Sequence, residues 1–257
     1  MTDSQGIVGM LSPILERRSV RRFKPKPVSR KLLNLVVKAG QRAPTSCGAQ
    51  FYSLIEIDDA RKRKEIIKMT GRNRALESAP VWIFVCSDAA RTTMMFRTLR
   101  IDCRLGELTR LIHSLIDASL AAENMVTAAE SLGLGSVFTI YHWRALGEIS
   151  KLLRLPEGVL PILLLCIGHP DERPPLRPRL STTIIHHRNM YRLPTRQTLL
   201  REYVKSNRSL VQMRYFSGEV KDLAQHWQRK FRSREMASKE KRLRMELQRL
   251  GFLPSKL

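Results

Sequence analysis

Acidic residues are scarce in this chain of 257 residues. It has 23 aspartates and glutamates against 46 lysines and arginines, which gives a formal net charge of +23 at pH 7. A surplus of this size favours anionic partners such as phosphates, nucleotides, nucleic acid or acidic lipid, and it says nothing about the fold. Apolar residues make up 43% of the chain, enough to form a core, so a disordered protein is excluded.

Cysteines and long apolar runs are also few. The four cysteines, Cys47, Cys86, Cys103 and Cys166, form no CxxC pair, so we expect reduced thiols and neither a disulfide framework nor a metal site. No segment approaches the ~20 apolar residues that cross a bilayer. The first residues lack the basic start and apolar run of a signal peptide. We therefore expect a cytoplasmic protein without a membrane segment.

The pattern of apolar residues predicts alternating helices and strands before residue 170. Several strand-like runs are apolar throughout, which is typical of strands buried on both faces of a sheet. Ser29 is expected to cap the N-terminus of one helix, and Gly71 to end another. The strands are expected at residues 51–57, 81–86, 136–140 and 161–167, and the helices at residues 7–16, 29–40, 60–70, 107–131 and 145–153.

The longest helical signal covers residues 107–131. Apolar side chains surround this stretch except for a narrow polar stripe that holds Asp117, Glu123 and Glu130. A helix of such composition needs to be buried, either at the centre of its own domain or against another subunit. The two glutamates fit either proton donors or structural carboxylates, which would be buried with a partner or lie along a solvated edge.

The character of the chain changes after Arg173. Prolines alternate with arginines there, and beyond Tyr191 the sequence is helical and strongly basic, with Trp227 and Phe231 one turn apart. We divide the chain into a core over residues 1–190 and a basic helical excursion over residues 191–257. The excursion fits a helical arm on a neighbouring subunit, a solvated helix, or a basic arm that binds nucleic acid.

Four arginines and a serine stand within eight residues at 16–23. Arg17, Arg18 and Arg21 offer planar, permanently charged groups that suit a phosphate dianion, and Ser19 adds a hydroxyl. Taken alone, the stretch fits a solvated basic surface better than a phosphate site. Other motifs follow it in a fixed order: residues 43–50 (APTSCGAQ), 128–135 (AAESLGLG), 159–170 and 176–180 (LRPRL).

These motifs together resemble the nitroreductase family, and most closely its type A oxygen-insensitive NADPH nitroreductases and FMN-dependent flavin reductases. The resemblance runs from about Ile14 to Tyr191. It implies an α+β fold with a central mixed sheet flanked by helices, and a homodimer with a long central helix at the interface. It also implies FMN as the cofactor. NADPH or NADH would reduce FMN, and a nitroaromatic, a quinone or free flavin would then accept the electrons.

The resemblance also assigns residues to the cofactor site, and no side chain to catalysis, because the flavin carries the chemistry. The first group is implied at the phosphate and ribityl chain of FMN. It comes from two early segments and a later pair of arginines: Arg17, Arg18, Ser19, Arg21, Thr45, Gln50, Arg177 and Arg179. A second group is implied near the ring system: Asn73, Thr139, Ile140 and Tyr141.

The sequence departs from the family pattern at two places. Ile140 and Tyr141 replace a Gly-Gly pair whose backbone approaches the flavin ring, and they form with the next two residues either an aromatic lid or a core anchor. Lys221 is the cation left in the segment that usually carries arginines for the 2′-phosphate of NADPH, while Arg208 and Arg214 lie upstream. An alternative function is therefore a catalytically weak flavin-binding protein with a basic surface for nucleic acid.

Overall fold

A computed structural model describes residues 11–232 and 234–254 of the chain. These residues form two compact units. The first consists of residues 11–174 together with 239–254, and the second of the described part of 175–238. The predicted boundary between core and excursion, after residue 190, falls inside the second unit. The division into these two functional parts remains a prediction.

The first unit contains one sheet of four strands in the order β1-β2-β4-β3. Each neighbouring pair is antiparallel, and an isolated bridge between Ser19 and Ser136 adds a parallel pairing at the β3 edge. All four predicted strands are confirmed, with ends shifted by a residue or two. The strands are β1 (Tyr52–Glu56), β2 (Val81–Asp88), β3 (Gly135–Thr139) and β4 (Val159–Gly168).

Helices surround this sheet and make up the second unit. The predicted caps at Ser29 and Gly71 are confirmed, and residues 11–15 are helical, whereas the predicted start of that helix lies outside the described residues. The helices are α1 (Arg30–Gln41), α2 (Ala60–Thr70), α3 (Arg74–Ser78), α4 (Ala90–Thr98), α5 (Glu107–Ser131), α6 (Leu146–Leu152), α7 (Thr182–Ile185), α8 (Arg196–Gln212), α9 (Leu223–Phe231) and α10 (Arg234–Arg249).

Both faces of the sheet are buried, which explains its continuous apolar strands. Ile83 and Val85 of β2 lie in the core beside α1 and α5, whereas Trp82 and Phe84 lie in the core beside α2 and α6. This alternation is the two-residue period of a strand. At Gly40, a Cβ atom would lie 2.6 Å from the Met125 side chain, so α1 packs too closely on α5 for any larger residue. The α+β fold class is confirmed.

Helix α5 has two unlike faces. Its inner face consists largely of small residues without solvent exposure, such as Ala118 and Ala129. Its outer face carries a row of large apolar side chains, spaced four residues apart, that are 41–59% exposed in the single chain: Leu108, Ile112, Ile116 and Leu120. We call this row the outer α5 face. Among the described residues, no helix is both long enough and apolar enough to cross a bilayer.

The second unit has little core of its own. Leu210 of α8 and Leu223 of α9 are buried, whereas Trp227 is 47% and Phe231 is 70% exposed. A hydrogen bond from the Leu223 backbone to Asn207 Oδ1, 2.8 Å long, joins the two helices. The predicted apolar seam of Trp227 and Phe231 is thus exposed in the single chain.

Candidate functional site

Residues 17–23, which we call the arginine strand, extend the sheet beyond β3. The Val20 N–H donates to the Ser136 carbonyl over 3.0 Å, and Ser19 forms the parallel bridge with Ser136. A Cβ atom at Gly135 would lie 2.9 Å from the Val20 side chain. Glycine is therefore what lets the arginine strand approach β3 so closely.

The segment after β4 holds the arginine strand from its other side. The Glu172 carboxylate accepts the backbone N–H groups of Arg21 and Arg22 at 2.6 and 3.2 Å. The Arg22 guanidinium donates to the Asp171 carbonyl over 3.0 and 2.7 Å. Arg22 is thus engaged within the fold, and the backbone of the strand is fixed.

The other arginine side chains of the strand are less engaged. The Nε atoms of Arg17 and Arg18 are buried and make no hydrogen bond. The Arg17 guanidinium lies 5.9 Å from the centre of the Phe138 ring, and Arg21 Nη1 donates to the Ser19 carbonyl over 3.1 Å. Buried donors without partners cost free energy, and a bound anion would satisfy them. Their chemistry and burial fit the terminal phosphate of a flavin nucleotide.

A cavity of about 520 Å³ opens beside Arg18 and is also lined by Glu130, at the end of α5. Burial raises the pKa of Glu130, while a hydrogen bond from the Ser136 hydroxyl and the charges of Arg17 and Arg18 oppose this shift. Glu130 is therefore a partnered, half-buried carboxylate, as one of the two hypotheses from the sequence has it. Glu123 is exposed.

Residues 45–50, which we call the hydroxyl loop, are fixed by a buried acid. Asp117 of α5 has no solvent exposure, and its carboxylate accepts the backbone N–H groups of Ser46 at 2.9 Å and Phe51 at 3.0 Å. Cys47 and Gln50 adopt left-handed backbone conformations with φ of 51° and 53°. Both ends of the loop are therefore tied to one carboxylate while its interior is strained.

The arginine strand and the hydroxyl loop lie at different positions along α5. The loop is held at Asp117, and the strand lies beside Glu130, near the end of the same helix. At 1.5 Å per residue these positions are about 20 Å apart along the helix axis. In one chain, the two segments implied at the phosphate end of FMN do not meet.

Asn73 lies on the turn that leads into α3. Its Oδ1 accepts the Ala75 N–H over 2.8 Å and so caps the helix. The same turn contacts the segment after β3, because Arg144 Nη1 donates to the Thr70 carbonyl over 3.4 Å. At the other end of α3 the Ser78 hydroxyl donates to the Arg21 carbonyl over 3.4 Å. Asn73 is thus joined through short links to two of the predicted site segments.

The stretch after β3 divides between the two hypotheses for it. Ile140 and Tyr141 are 54% and 39% exposed, and the Tyr141 N–H donates to Thr139 Oγ1 over 3.2 Å. His142 is buried, with its Nε2 at 2.8 Å from the Pro161 carbonyl, and burial lowers its pKa to about 4. Trp143 Nε1 donates to the Ile162 carbonyl over 3.2 Å. The first two residues therefore face outward, and the next two anchor the core.

The remaining predicted cations belong to the second unit. The Arg177 guanidinium lies 4.5 Å from the Tyr215 ring centre, and Arg179 Nη1 donates to the Pro178 carbonyl over 3.2 Å. Lys221 is exposed and precedes Asp222, which caps α9. Arg208 and Arg214 are exposed as well.

Sequence reasoning missed the residues that hold these segments. In the sequence, Asp117 belongs to a polar stripe, and no pattern distinguishes Glu172 or Arg91 from other charged residues. Arg91 donates to the carbonyls of Gln50 and Tyr52, the latter over 3.0 Å. The one signal in the sequence is an acid inside an otherwise apolar helix, which requires hydrogen-bonding partners when buried.

Comparisons with known proteins identify the family of the chain. The model of the nitroreductase family matches residues 14–71 and 58–169. An NADPH-flavin oxidoreductase of Vibrio harveyi is 31% identical over 181 residues, 70% of this chain and 74% of that protein. An oxygen-insensitive NADPH nitroreductase of Salmonella typhimurium is 32% identical over 198 residues, 75% of this chain and 80% of that protein.

Solved structures extend the similarity into the second unit. The structure of the nitroreductase NfrA1 from B. subtilis superposes with a TM-score of 0.82 at 26% sequence identity. The match covers 94% of this chain and 98% of that one. The family model spans more than half of the chain, and the sequence relatives exceed 30% identity over more than two thirds of it. The chain therefore belongs to the nitroreductase family.

Proposed function

We propose that this chain is an FMN-dependent NAD(P)H oxidoreductase. It takes reducing equivalents from NADPH or NADH and passes them to nitroaromatics, quinones or free flavin. The observation that carries the proposal is the pair of buried, unpartnered Nε groups of Arg17 and Arg18, on a strand that the rest of the fold holds rigidly. Family membership and the names of the relatives support the same chemistry.

The arginine strand is the proposed holder of the FMN phosphate. Arg17 and Arg18 supply Nε donors that make no hydrogen bond in the chain, and Ser19 supplies a hydroxyl. Arg18 Nη1 lies 4.0 Å from a carboxylate oxygen of Glu16. Arg21 already donates to the Ser19 carbonyl, so we assign it a smaller share of the phosphate contact. The resemblance also implies Arg177 and Arg179 at the FMN phosphate, and this assignment stays a prediction.

The ring system is proposed to lie against Asn73 and residues 139–141. When bound, FMN supplies the hydride-accepting ring, so the chain needs no nucleophile or acid–base pair. The Oδ1 of Asn73 caps α3, so its amide nitrogen is the group that donates to the ring. The Tyr141 N–H is engaged by Thr139, which leaves the Ile140 N–H as the backbone donor, while the exposed Ile140 and Tyr141 side chains exclude water.

A homodimer would complete this site. Two segments implied at one end of FMN lie about 20 Å apart along α5 in a single chain. If two chains associate, the hydroxyl loop of one can face the arginine strand of the other. The outer α5 face supports association, because its four large apolar side chains are exposed in the single chain.

For the donor we propose NADPH with a modest preference over NADH. The names of two relatives include NADPH. In this chain Lys221 is flanked by Glu219 and Asp222, and two nearby carboxylates oppose a 2′-phosphate. For the compartment we propose the cytoplasm, since all four cysteines are free, Cys47 and Cys103 at the surface.

The test is anaerobic reduction of the purified full-length chain. We expect a yellow protein that carries FMN rather than FAD, at about one per subunit, because the arginine strand binds a terminal phosphate. NADPH under nitrogen should bleach the flavin absorbance within seconds, and menadione or a nitroaromatic should restore it.

A yellow protein that stays yellow, or a colourless protein that retards DNA in a gel, would contradict the proposal. Either result would favour the alternative of a weak flavin-binding protein with a nucleic-acid surface. The names of the relatives give that alternative no support.

A further inference from the structure

One carboxylate ties both ends of the hydroxyl loop to α5. The Asp117 carboxylate accepts the N–H of Ser46 at 2.9 Å and the N–H of Phe51 at 3.0 Å, and Asp117 has no solvent exposure. Thr45 precedes the first contact, and Gln50 precedes the second. We infer that Asp117 is a positioning residue for FMN binding, an inference that rests on the proposed function. It acts through the loop and does not touch the cofactor.

The loop needs such a hold because its backbone is strained. Cys47 and Gln50 both adopt left-handed conformations that residues with a side chain rarely take. The Arg91 guanidinium donates to the carbonyls of Gln50 and Tyr52. The loop is therefore held through N–H groups by Asp117 and through carbonyl groups by Arg91. Without the acid, the strained residues can relax and Thr45 and Gln50 move.

The chemistry of the contact requires a carboxylate. Both partners of Asp117 are N–H donors, and each carboxylate oxygen accepts one of them. An asparagine can accept one N–H through its oxygen but presents its NH₂ group to the other. Asp117→Asn keeps the size of the side chain and removes one contact at an end of the loop.

A merely structural role predicts a different result. In that case Asp117→Asn lowers thermal stability and leaves the FMN affinity of the folded protein unchanged. Ser114 provides the matched control, because it is a buried polar residue one turn earlier on α5 whose hydroxyl donates to the Leu111 carbonyl of the same helix. Ser114→Ala perturbs the buried helix without touching the hydroxyl loop.

The experiment compares wild type, Asp117→Asn and Ser114→Ala as full-length chains. FMN is titrated into the flavin-free proteins by fluorescence, and hydrogen exchange is measured at the amides of Ser46 and Phe51. We expect the Kd for FMN to rise about tenfold or more in Asp117→Asn, with faster exchange at one or both amides. Ser114→Ala should stay within about twofold of wild type.

If Asp117→Asn does not fold, Ser46→Pro gives the second test, since it removes one donor from the loop and leaves the acid in place. It should weaken FMN binding in the same direction. Wild-type affinity in the folded Asp117→Asn variant, or in Ser46→Pro where that variant is used, overturns the inference alone. A wild-type chain that binds no FMN overturns the proposed function, and the inference with it.

Discussion

The arginine strand and the hydroxyl loop are held by the same device and offer different things. In each segment, two backbone N–H groups donate to a single carboxylate. This carboxylate belongs to Glu172 for the strand and to Asp117 for the loop. The strand leaves the Nε groups of Arg17 and Arg18 without partners, whereas the loop is engaged along its backbone. Under the proposed function, the strand would therefore supply charge to the FMN phosphate, and the loop would supply a fixed backbone shape.

Their separation is the second difference. The strand lies at one end of α5 and the loop is bound about 20 Å away along the helix axis. The family resemblance assigns both to the same end of FMN. Under the proposed function, one chain carries two halves of a site, and each half would meet its complement on a second chain.

The largest expected effect comes from breaking the proposed homodimer. Ile116→Glu places a charge in the middle of the outer α5 face, where a carboxylate would be buried without a partner. We expect a monomer that loses its flavin on gel filtration, because strand and loop then no longer meet. Light scattering and the flavin absorbance of the eluted peak measure both effects.

Leu35→Glu is the control for this change. Leu35 lies on α1 and is 45% exposed, close to the 50% of Ile116, so the same charge is added to a similar surface. It should remain a flavin-loaded dimer. A wild-type protein that is a stable, flavin-loaded monomer would disprove the shared site.

A smaller effect separates the arginines within the strand. Arg18→Ala should weaken FMN binding about 10- to 150-fold, the range expected for a lost charge-assisted contact of ~1.5–3 kcal/mol. Arg21→Ala should cost less, because its guanidinium already donates to the Ser19 carbonyl. Arg22→Ala is the control, since that side chain is paired with Asp171. Equilibrium titration with FMN gives the three affinities, and the reverse order would refute the assignment.

The smallest effect concerns the hold on the strand itself. The N–H groups of Arg21 and Arg22 both donate to Oε1 of Glu172, so the amide oxygen of Glu172→Gln can accept both, and only the negative charge is lost at a half-exposed site. We expect FMN affinity to fall by only about two- to fivefold, against about tenfold for Asp117→Asn. Equal losses of FMN affinity in the two variants would contradict this difference between the strand and the loop.

Much of the fold could be predicted from local sequence patterns. Residues 107–131 form one helix with the predicted bounds, because apolar periodicity and the glycines that follow define it. Helices α3 and α4 were missed, since their short sequences lack such periodicity. The return of residues 239–254 to the first unit, where Leu250 and Phe252 are buried, has no signal in the basic composition of the tail.

The sequence predicts the residue types of the proposed site, but it does not predict the residues that hold them in place. Arginines, hydroxyls and amides in a recognisable order indicate a flavin phosphate. Asp117 accepts hydrogen bonds from backbone N–H groups about 70 residues away in the sequence. Because every residue except proline has a backbone N–H, no sequence pattern predicts this contact. The spacing of strand and loop along α5 likewise follows only from the packing of the folded chain.

The most direct test of the shared site is a mixed dimer of two defective chains. One chain carries Arg18→Ala with a normal loop, and the other carries Asp117→Asn with a normal strand. If each site joins the strand of one chain to the loop of the other, the mixed dimer has one intact site. FMN titration should then find about one site of wild-type affinity per mixed dimer, although neither parent dimer has any. A mixed dimer whose two sites are both weak would contradict this account.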